Sequence, residues 1–293
     1  MNIIEKMFKV CKNLICSFGR KNPRVMTSEQ TIEYVLKNKA SIGRYGDGEI
    51  GLIDGKSLRF QTCNAELSQR LSAIRNTDNF LVCIPNIFDK KYFNKTILKQ
   101  QEYKFWKKHK LIYSYLWKGF FNKQINGDAL LSRFYIRYNN PHHVAKYVKL
   151  FKQLWEGRNI IIIEGATSKI GCENDLLGKA TSIRRIICPS SNAYDYYEQI
   201  LKTVKSNYND GDLVLIALGP TATVLAYDLS QFNIQALDLG HFDIEYEWFI
   251  ANAKEKMPVK NKHVNECSSI GDSSTEDKAY NSQIIYKIEE KTK

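Results

Sequence analysis

Two carboxylates separated by one residue lie among three glycines in the segment Arg44-Tyr45-Gly46-Asp47-Gly48-Glu49-Ile50-Gly51. Glycine lets the backbone turn tightly and approach a ligand closely, and this glycine spacing matches a dinucleotide fingerprint. That fingerprint offers backbone N–H groups to a pyrophosphate, and Asp47 and Glu49 would repel the same negative charge. A divalent cation between carboxylates and diphosphate removes the repulsion. The segment therefore indicates a metal–diphosphate site, with Asp47 and Glu49 as metal ligands and Gly46 and Gly48 beside the phosphates.

Short apolar runs alternate with helical segments along most of the chain. The runs typical of buried strands cover residues 40–42, 80–84, 159–163, 184–188, 212–218 and 234–237. Strands that alternate with helices of about ten to fifteen residues predict an α/β fold, with a mainly parallel sheet covered by helices. Ligands of such sheets bind beyond the carboxyl ends of the strands. The acidic segment follows the first of these strands, so it lies where a ligand is expected.

Two more strand ends carry groups that suit a phosphate. The loop after residues 159–163 contains hydroxyls and Lys169, although it lacks the second glycine of a Walker motif. After residues 212–218, Pro220 starts a helix whose free N–H groups, with the hydroxyls of Thr221 and Thr223, are expected to bind phosphate. Ordinary helix capping is the alternative for both threonines. Arg44 either binds phosphate or pairs with Glu49.

The chain is basic and carries unpaired cysteines. Its 43 Lys and Arg residues outnumber 31 Asp and Glu residues, which gives a formal net charge of +12. This excess suits phosphorylated small molecules or anionic lipid, and nucleic acid is not expected because RNA-binding and zinc-finger signatures are missing from the sequence. Seven cysteines without a CxxC pair indicate a reduced, intracellular protein, and we expect a cytoplasmic location.

The first 22 residues predict a basic amphipathic helix, separate from a domain that covers residues 27–290. Apolar residues recur at helical spacing through residues 1–20, and lysines fall on the other side. Such a helix either lies on an anionic membrane surface, here the inner surface, or docks on its own domain or a partner. The lysines interrupt the apolar run, so it is neither a signal peptide nor a membrane span.

Two further regions have weaker patterns. Residues 89–138 are rich in lysine and aromatics, and they form either an acceptor-binding surface or two ordinary helices. Near the end of the chain, Ile284, Ile285 and Ile288 have the spacing of a short last helix that packs back on the domain. Thr27 and Gln30 have the spacing of a capping box at the start of a helix that runs to about Lys39.

Five short motifs occur together in one order: residues 44–49, Glu164-Gly165, Gly171 with residues 174–176, residues 219–223 and residues 240–248. Together they resemble the GT-D-type glycosyltransferases, a bacterial family found in glycan and adhesin glycosylation clusters, which points to polysaccharide biosynthesis or protein glycosylation. The similarity runs from about residue 27 to Ile288 and leaves out the N-terminal helix. It implies a Rossmann-like fold, a UDP-sugar donor, and Mn²⁺ or Mg²⁺ held at an Asp-x-Glu motif, which Asp47 and Glu49 match. The family often has Arg where this chain has Lys169.

Sugar transfer that inverts the anomeric carbon needs a general base for the acceptor hydroxyl. His241, Asp243 and Glu245 are the candidates, since an extended segment would aim all three to the same side. The pattern does not choose among them. The expected activity is transfer of a sugar from UDP to a glycan, a lipid-linked glycan or a glycoprotein. The alternatives are a non-catalytic nucleotide- or glycan-binding accessory protein and, last, an NAD-dependent oxidoreductase.

Overall fold

Nine parallel strands form one sheet within the part of the chain that the computed structural model describes, residues 3–267 and 275–290. In spatial order the strands are β1-β4-β3-β2-β8-β7-β5-β6-β9. Their bounds are β1 (Arg24–Val25), β2 (Ser41–Arg44), β3 (Phe80–Ile84), β4 (Ile125–Asp128), β5 (Asn159–Gly165), β6 (Ser182–Cys188), β7 (Leu213–Ala217), β8 (Ala236–Asp238) and β9 (Ile284–Lys287). The predicted α/β fold with a helix-covered parallel sheet is confirmed.

Helices lie between most of the strands. They are α1 (Ile3–Ser17), α2 (Ser28–Asn38), α3 (Asp47–Ile53), α4 (Ala65–Ala73), α5 (Gln100–Phe121), α6 (Val144–Lys152), α7 (Tyr197–Asn207), α8 (Pro220–Gln231), α9 (Phe242–Ile250) and α10 (Lys278–Ser282). Short 3-10 turns cover Ala129–Ser132, Ala193–Tyr196 and Asn265–Cys267. The predicted capping box of α2 is confirmed, because the Thr27 hydroxyl accepts from the Gln30 N–H and the Gln30 side chain accepts from the Thr27 N–H.

Apolar side chains on both faces of the sheet bury the strands. All five residues of β3 are buried, and residues 160–163 of β5 are fully buried isoleucines. Strands covered on both faces are continuous apolar runs rather than alternating ones, which is why the sequence pattern located them. Each face packs against its own hydrophobic cluster, and the helices that cover each face supply the rest of both clusters.

The structure differs from the sequence-based predictions at residues 89–138 and near the end of the chain. Residues 89–138 hold one long helix, α5, followed by strand β4, rather than two helices. Ile284 and Ile285 begin strand β9 rather than a helix, and β9 pairs in parallel with β6. The apolar spacing at the end of the chain fits either structure, and the unpaired edge of β6 offers backbone hydrogen bonds that a helix would leave unused.

Helix α1 docks on the domain through Val10, which packs against the hydrophobic core, and through polar side chains that contact α5. Asn13 is buried there, where its side chain donates to the Leu111 carbonyl and accepts from the Tyr115 N–H. Lys9 pairs with Asp54 at the end of α3. The apolar side of α1 faces outward, and Phe8 is 69% exposed. Among the described residues, no helix combines the length and the apolar character needed to cross a membrane.

Candidate active site

The carboxyl ends of the strands surround a cavity of about 640 Å³. Because all nine strands are parallel, the segments that leave β2, β4, β5, β6, β7 and β8 meet at this edge of the sheet. Trp106 of α5 closes part of the wall. Seven of the residues that the sequence indicated contribute to the lining: Arg44, Gly46, Asp47, Gly48, Glu49, His241 and Asp243.

Asp47 and Glu49 lie in the first turn of α3, with Gly46 as the N-cap, rather than in the predicted acidic turn. Carboxylates are favoured there because the helix N-terminus carries partial positive charge and unpaired N–H groups. The Glu49 carboxylate accepts from the Gly46 N–H at 2.6 Å, which closes this end of the helix. Gly46 therefore serves the helix cap, in addition to lining the cavity.

The protein desolvates both carboxyl groups. Burial raises the pKa of Glu49 to about 7, although backbone N–H groups in the same turn act in the other direction. The Asp47 side chain is reached by solvent through the cavity, and desolvation by the surrounding protein still raises its pKa. Within residues 3–267 and 275–290, neither carboxylate forms an ion pair. This environment suits a cation supplied from outside the described residues.

The donor set fits a divalent cation whose coordination is completed by a bound ligand. In the described residues no cluster of three or more His, Cys, Asp or Glu side chains could hold a metal. Asp47 and Glu49 supply two hard oxygen donors at the cavity wall. Mg²⁺ and similar ions are commonly bound by one or two carboxylates together with substrate phosphates and water. The pair therefore fits a metal that binds together with a diphosphate.

Arg44 pairs with Asp238 of β8, so the alternative that it pairs with Glu49 is wrong. Its guanidinium donates to Asp238 Oδ1 at 2.9 Å, to Ser132 Oγ at 2.8 Å and to the Ala129 carbonyl. Gly240 lies directly beneath, at a φ of +51°, and a Cβ there would be 1.8 Å from the guanidinium. Arg44 thus ties β2, β8 and the 3-10 turn after β4 together under the cavity.

Lys169, Thr221 and Thr223 are fully buried and do not line the cavity. The Thr223 hydroxyl donates to the Arg44 carbonyl at 2.8 Å, so it joins α8 to β2. Pro220 does start α8, but Gly219 rather than either threonine contributes to the lining. Phosphate contacts from these three side chains would require the surrounding structure to open.

The segment after β8 is helical, so the expectation that it continues extended is wrong. His241 is the N-cap of α9, and Asp243 and Glu245 lie in its first turn. On a helix, positions four apart share a face, whereas positions two apart differ by about 200°. The three side chains therefore do not point to one side, and they have different surroundings.

Glu245 is an anchor for the loop after β4. It is fully buried, and its carboxylate accepts from the backbone N–H groups of Tyr135 and Ile136 at 2.9 and 3.0 Å. It does not line the cavity. A carboxylate that accepts two buried N–H groups is committed to holding that backbone, and it has no access to an acceptor hydroxyl in this arrangement.

Asp243 borders the cavity but is also engaged. Its carboxylate accepts from the Gly171 N–H at 2.8 Å, from the Asn174 side chain at 3.0 Å and from Lys262 at 2.7 Å. Lys262 also pairs with Glu247 at 2.7 Å. This network connects α9 to the loop after β5, so Asp243 acts mainly as a structural connection.

His241 lies in the cavity wall, beside Glu266. It lines the cavity, and its Nε2 lies 3.5 Å from Glu266 Oε2. Burial and the nearby charge of Arg133 lower the pKa of His241 to about 4, so the ring is neutral near pH 7. Although burial opposes it, the hydrogen bond with His241 and the charge of Arg133 hold the pKa of Glu266 well below its usual range.

Several lining residues had no sequence signal. Arg133 pairs with Glu266 at 2.5 Å, and both face the cavity together with the aromatic ring of Phe60. Arg59 also lines the cavity; it is exposed, and its guanidinium forms no hydrogen bond or ion pair with any described residue. These side chains come from loops and a 3-10 turn without a motif, and only the folded chain brings them to the strand ends.

Solved structures with the same architecture define the class of protein. The chain is similar to a structure described as "The highly conserved domain of unknown function 1792 has a distinct glycosyltransferase fold", with 34% identity, a TM-score of 0.86, and coverage of 97% of this chain and 100% of that one. A second structure, "A New Glycosyltransferase (DUF1792) from Streptococcus sanguinis", has 35% identity and a TM-score of 0.85, and covers 92% of this chain and 100% of that one. The fold is therefore an α/β glycosyltransferase fold.

The chain belongs to the glycosyltransferase GT-D fold family, whose model matches residues 42–267. It is 38% identical over 265 residues to "Probable glycosyl transferase Gly" of Streptococcus gordonii, which covers 89% of this chain and 38% of that protein. It is 35% identical over 293 residues to "Glycosyltransferase GlyD" of Streptococcus pneumoniae serotype 4, which covers 97% of this chain and 35% of that protein.

The chain thus spans little more than a third of the length of these two relatives. The family model begins at residue 42, after the N-terminal helix, whereas a match to 97% of the chain takes in part of that helix, so its separation from the domain stays a prediction.

Proposed function

We propose that the protein is a metal-dependent glycosyltransferase that moves a sugar from a UDP-sugar donor to a glycan, a lipid-linked glycan or a glycoprotein. One observation carries the proposal: Asp47 and Glu49 line the cavity at the strand ends, and neither carboxylate forms an ion pair with a described residue. In a chain of this family, that pair suits a cation bound together with the diphosphate of a nucleotide-sugar. The names of both curated relatives support the reaction class.

The metal would be Mn²⁺ or Mg²⁺, held by the carboxylates of Asp47 and Glu49. When bound, it supplies positive charge that stabilises the leaving diphosphate. Side chains of the protein make the other contacts with the donor. Arg59 is the exposed cation of the cavity wall that is free to bind a phosphate oxygen, a role that the sequence pattern had given to Lys169. Phe60 packs over Gly219, where a Cβ would be 2.7 Å from the ring, and offers a flat apolar wall for a base.

His241 is the residue we propose for the acceptor hydroxyl. It is neutral near pH 7 and lines the cavity, so its ring nitrogen can accept a hydrogen bond from a hydroxyl in the same space. The adjacent Glu266 would stabilise an imidazolium that forms if the ring takes the proton. Asp243 and Glu245 hold the surrounding backbone in this account.

We further propose that the outer side of α1 lies on an anionic membrane surface on the cytoplasmic side, where a lipid-linked acceptor is available. Five large apolar side chains of α1 and the residue directly after it form this outer side, with exposed fractions from 61% to 90%: Ile4, Met7, Phe8, Leu14, Ile15 and Phe18. The polar side of the helix is already used by Asn13 and Lys9 in docking on the domain. An exposed apolar helical face flanked by cations is the pattern of an interfacial helix.

Charge favours lipid as the occupant of this surface. Residues 1–24 contain six Lys or Arg and one Glu, and residues 99–123, which include α5, contain seven Lys and one Glu. These two segments therefore contribute +5 and +6, which is nearly the whole net charge of +12. Lys104, Lys107 and Lys108 of α5 are exposed. Each cation near an anionic surface adds about 1 kcal/mol of attraction, and the apolar side chains add burial.

Calorimetry of UDP binding with and without Mn²⁺ tests the donor and metal parts together. We expect Mn²⁺ to tighten UDP binding, and Arg59→Gln to weaken it by about tenfold through loss of a charged hydrogen bond. UDP that binds equally well without any divalent cation would contradict the metal role. Failure of UDP to bind would contradict the donor. Tight UDP binding without turnover of any UDP-sugar, even with acceptor panels, would favour the non-catalytic accessory protein.

A further inference from the structure

A second cavity, of about 360 Å³, opens beside the main one, and the side chain of Leu130 lines both. It lies beyond the carboxyl ends of β1, β3 and β4, where Thr27, Asn86 and Asp128 contribute to its wall. It contains none of the residues to which the proposed reaction assigns a role. Its position at the same edge of the sheet makes it reachable by a ligand that also enters the main cavity.

Arg137 is a buried cation in this wall whose donors are not used. Its residue is only 5% exposed, and its Nε has no hydrogen-bond partner. Across residues 3–267 and 275–290, its guanidinium makes neither a hydrogen bond nor an ion pair, and the ring of Tyr138 lies 5.4 Å from Cζ. A buried charged donor without acceptors is costly, so a ligand or water that accepts from it would stabilise the site.

The wall does not suit an anion. Asp128 already occupies the N-terminal end of α2, where it accepts from the Ser28 hydroxyl at 2.7 Å and from the Leu130 N–H at 3.0 Å. Glu29 stands exposed at the rim of the same cavity. The two negative charges of Asp128 and Glu29 therefore exceed the single positive charge of Arg137, so a further negative charge would be repelled.

The remaining lining suits a neutral, hydroxyl-rich ligand. Asn86, Asn140 and Thr96 add amide and hydroxyl groups, and Tyr92 and Tyr138 add aromatic rings. Planar donors and acceptors combined with aromatic faces match the alternating hydroxyl and C–H surfaces of a sugar.

The wall that carries these groups is firmly built. Asn139 donates to the carbonyls of Lys95, Thr96 and Leu98 at 3.0 to 3.1 Å, and the Lys99 N–H donates to the Arg137 carbonyl at 2.9 Å. The two chain segments on either side of the cavity are therefore joined to each other. A site with fixed walls loses little freedom when it binds a ligand.

We propose that this second cavity binds a neutral sugar unit of the acceptor glycan, adjacent to the unit that enters the main cavity. The inference rests on the proposed glycosyltransferase function and specifies where that function recognises its acceptor. Arg137 donates to sugar oxygens, and Tyr92 and Tyr138 pack against the ring. Residues 89–138 thus contribute to the wall of the acceptor-binding surface, and the same region also contains the ordinary helix α5.

Saturation-transfer NMR with a fixed panel of neutral disaccharides (cellobiose, lactose, maltose and chitobiose) tests the site on the full chain. The variants are Arg137→Met, which removes the guanidinium, and Tyr92→Ala at the partly exposed rim, which is expected to fold normally. Tyr286→Ala removes a 42% exposed tyrosine on β9 and is the matched control. UDP binding is measured in the same samples, because it reports on the main cavity alone.

We expect at least one disaccharide to bind wild type and Tyr286→Ala, with affinity about tenfold lower in Arg137→Met and Tyr92→Ala and with UDP binding unchanged. Normal UDP binding without any disaccharide signal, or with equal signals in all variants, would overturn the second site while leaving the proposed function intact. Loss of UDP binding in wild type would instead count against the proposed function. Folding of each variant is checked by thermal unfolding, and Tyr92→Ala decides if Arg137→Met does not fold.

Discussion

The guanidinium of Arg44, at the end of β2, lies 2.9 Å from the carboxylate of Asp238, at the end of β8. These two strands are neighbours in the sheet although they are far apart in the chain. The pair is nearly buried, with 18% and 3% of the side chains exposed. It lies beneath the cavity, so the first residues of the acidic segment are fixed by an interaction with a residue 194 positions away in the sequence.

Removing one member of this pair should destabilise the fold strongly. Asp238→Ala leaves a desolvated guanidinium without its carboxylate, and we expect a loss of about 3–5 kcal/mol in the free energy of unfolding. Chemical denaturation measures this directly. Glu156→Ala is the control, because the Lys179–Glu156 pair is about half exposed and should contribute at most about 1 kcal/mol. Equal effects of the two substitutions would contradict the role of the Arg44–Asp238 pair.

Glu245 and His241 should behave differently when replaced. Glu245→Gln keeps an oxygen that accepts from Tyr135 and Ile136, so we expect turnover close to wild type, whereas Glu245→Ala should cost about 2–5 kcal/mol of stability through two unsatisfied N–H groups. His241→Gln should slow transfer about a hundredfold with little change in stability. Steady-state rates and unfolding curves for the three variants separate these roles. A stable Glu245→Gln variant without turnover would restore Glu245 as the base.

Stability should fall in mild acid because of His109 in α5. The ring is buried among Trp106, Tyr113 and Trp117, and burial, with the charge of Lys56, lowers its pKa to about 4. The unfolded chain takes up the proton near the ordinary pKa of 6.5, and the folded chain does so only near 4. The contribution of neutral His109 is therefore complete above about pH 6.5 and is lost as the pH falls, by up to about 3 kcal/mol.

His109→Phe isolates this effect, since other groups such as His241 titrate in the same range in both proteins. The free energy of unfolding measured from pH 7.5 to pH 4 should decline less steeply in the variant than in wild type. Parallel declines would show that His109 is protonated without penalty, contrary to its buried position.

The outer side of α1 should control binding to lipid. Phe8 and Ile15 are 69% and 76% exposed, so Phe8→Glu with Ile15→Glu should fold normally and reduce co-sedimentation with phosphatidylglycerol-containing vesicles by at least about tenfold. Binding of wild type should also weaken as salt increases. Phe232→Glu with Ile250→Glu, at two exposed apolar positions outside α1, is the control.

Light scattering of the same proteins without lipid identifies other occupants of this side. A dimer that the α1 variant dissociates, without vesicle binding by wild type, would assign the side to a second copy of the chain. If wild type is a monomer and does not bind vesicles, the outer side of α1 would be assigned to contact with another protein. That result would contradict the membrane proposal.

Much of the sheet was predictable because its strands are short apolar runs buried on both faces. Strands β1, β4 and β9 are the exceptions, and β4 and β9 have clear physical causes. Strand β4 contains the sequence Ile-Asn-Gly-Asp, which has no apolar run, and it is held by Asn126, whose side chain donates to three carbonyls. Strand β9 depends on the free edge of β6, which no local pattern reports.

The candidate site was predictable where local chemistry decides position. Asp47 and Glu49 follow a strand directly, so their place at the strand ends was implied by the sequence order. Arg59 reaches the cavity from a loop and Glu266 from a 3-10 turn, and only tertiary packing brings them there. The segments that carry Thr223 and Lys169 do end at the cavity, but their side chains turn into the core. The sequence places a segment, and packing decides which way each side chain points.

Metal-dependent hydrolysis of UDP-sugars tests the central claim most directly. The turnover of wild type, Asp47→Asn and Asp54→Asn is measured in the presence of Mn²⁺ and in the presence of a chelator. Asp54 is the matched control carboxylate, because it follows α3 directly, pairs with Lys9 and lies outside the cavity. We predict turnover that requires Mn²⁺, falls about a hundredfold or more in Asp47→Asn and persists in Asp54→Asn. Turnover that survives the chelator, or that is equal in Asp47→Asn and wild type, would contradict a metal site at Asp47 and Glu49.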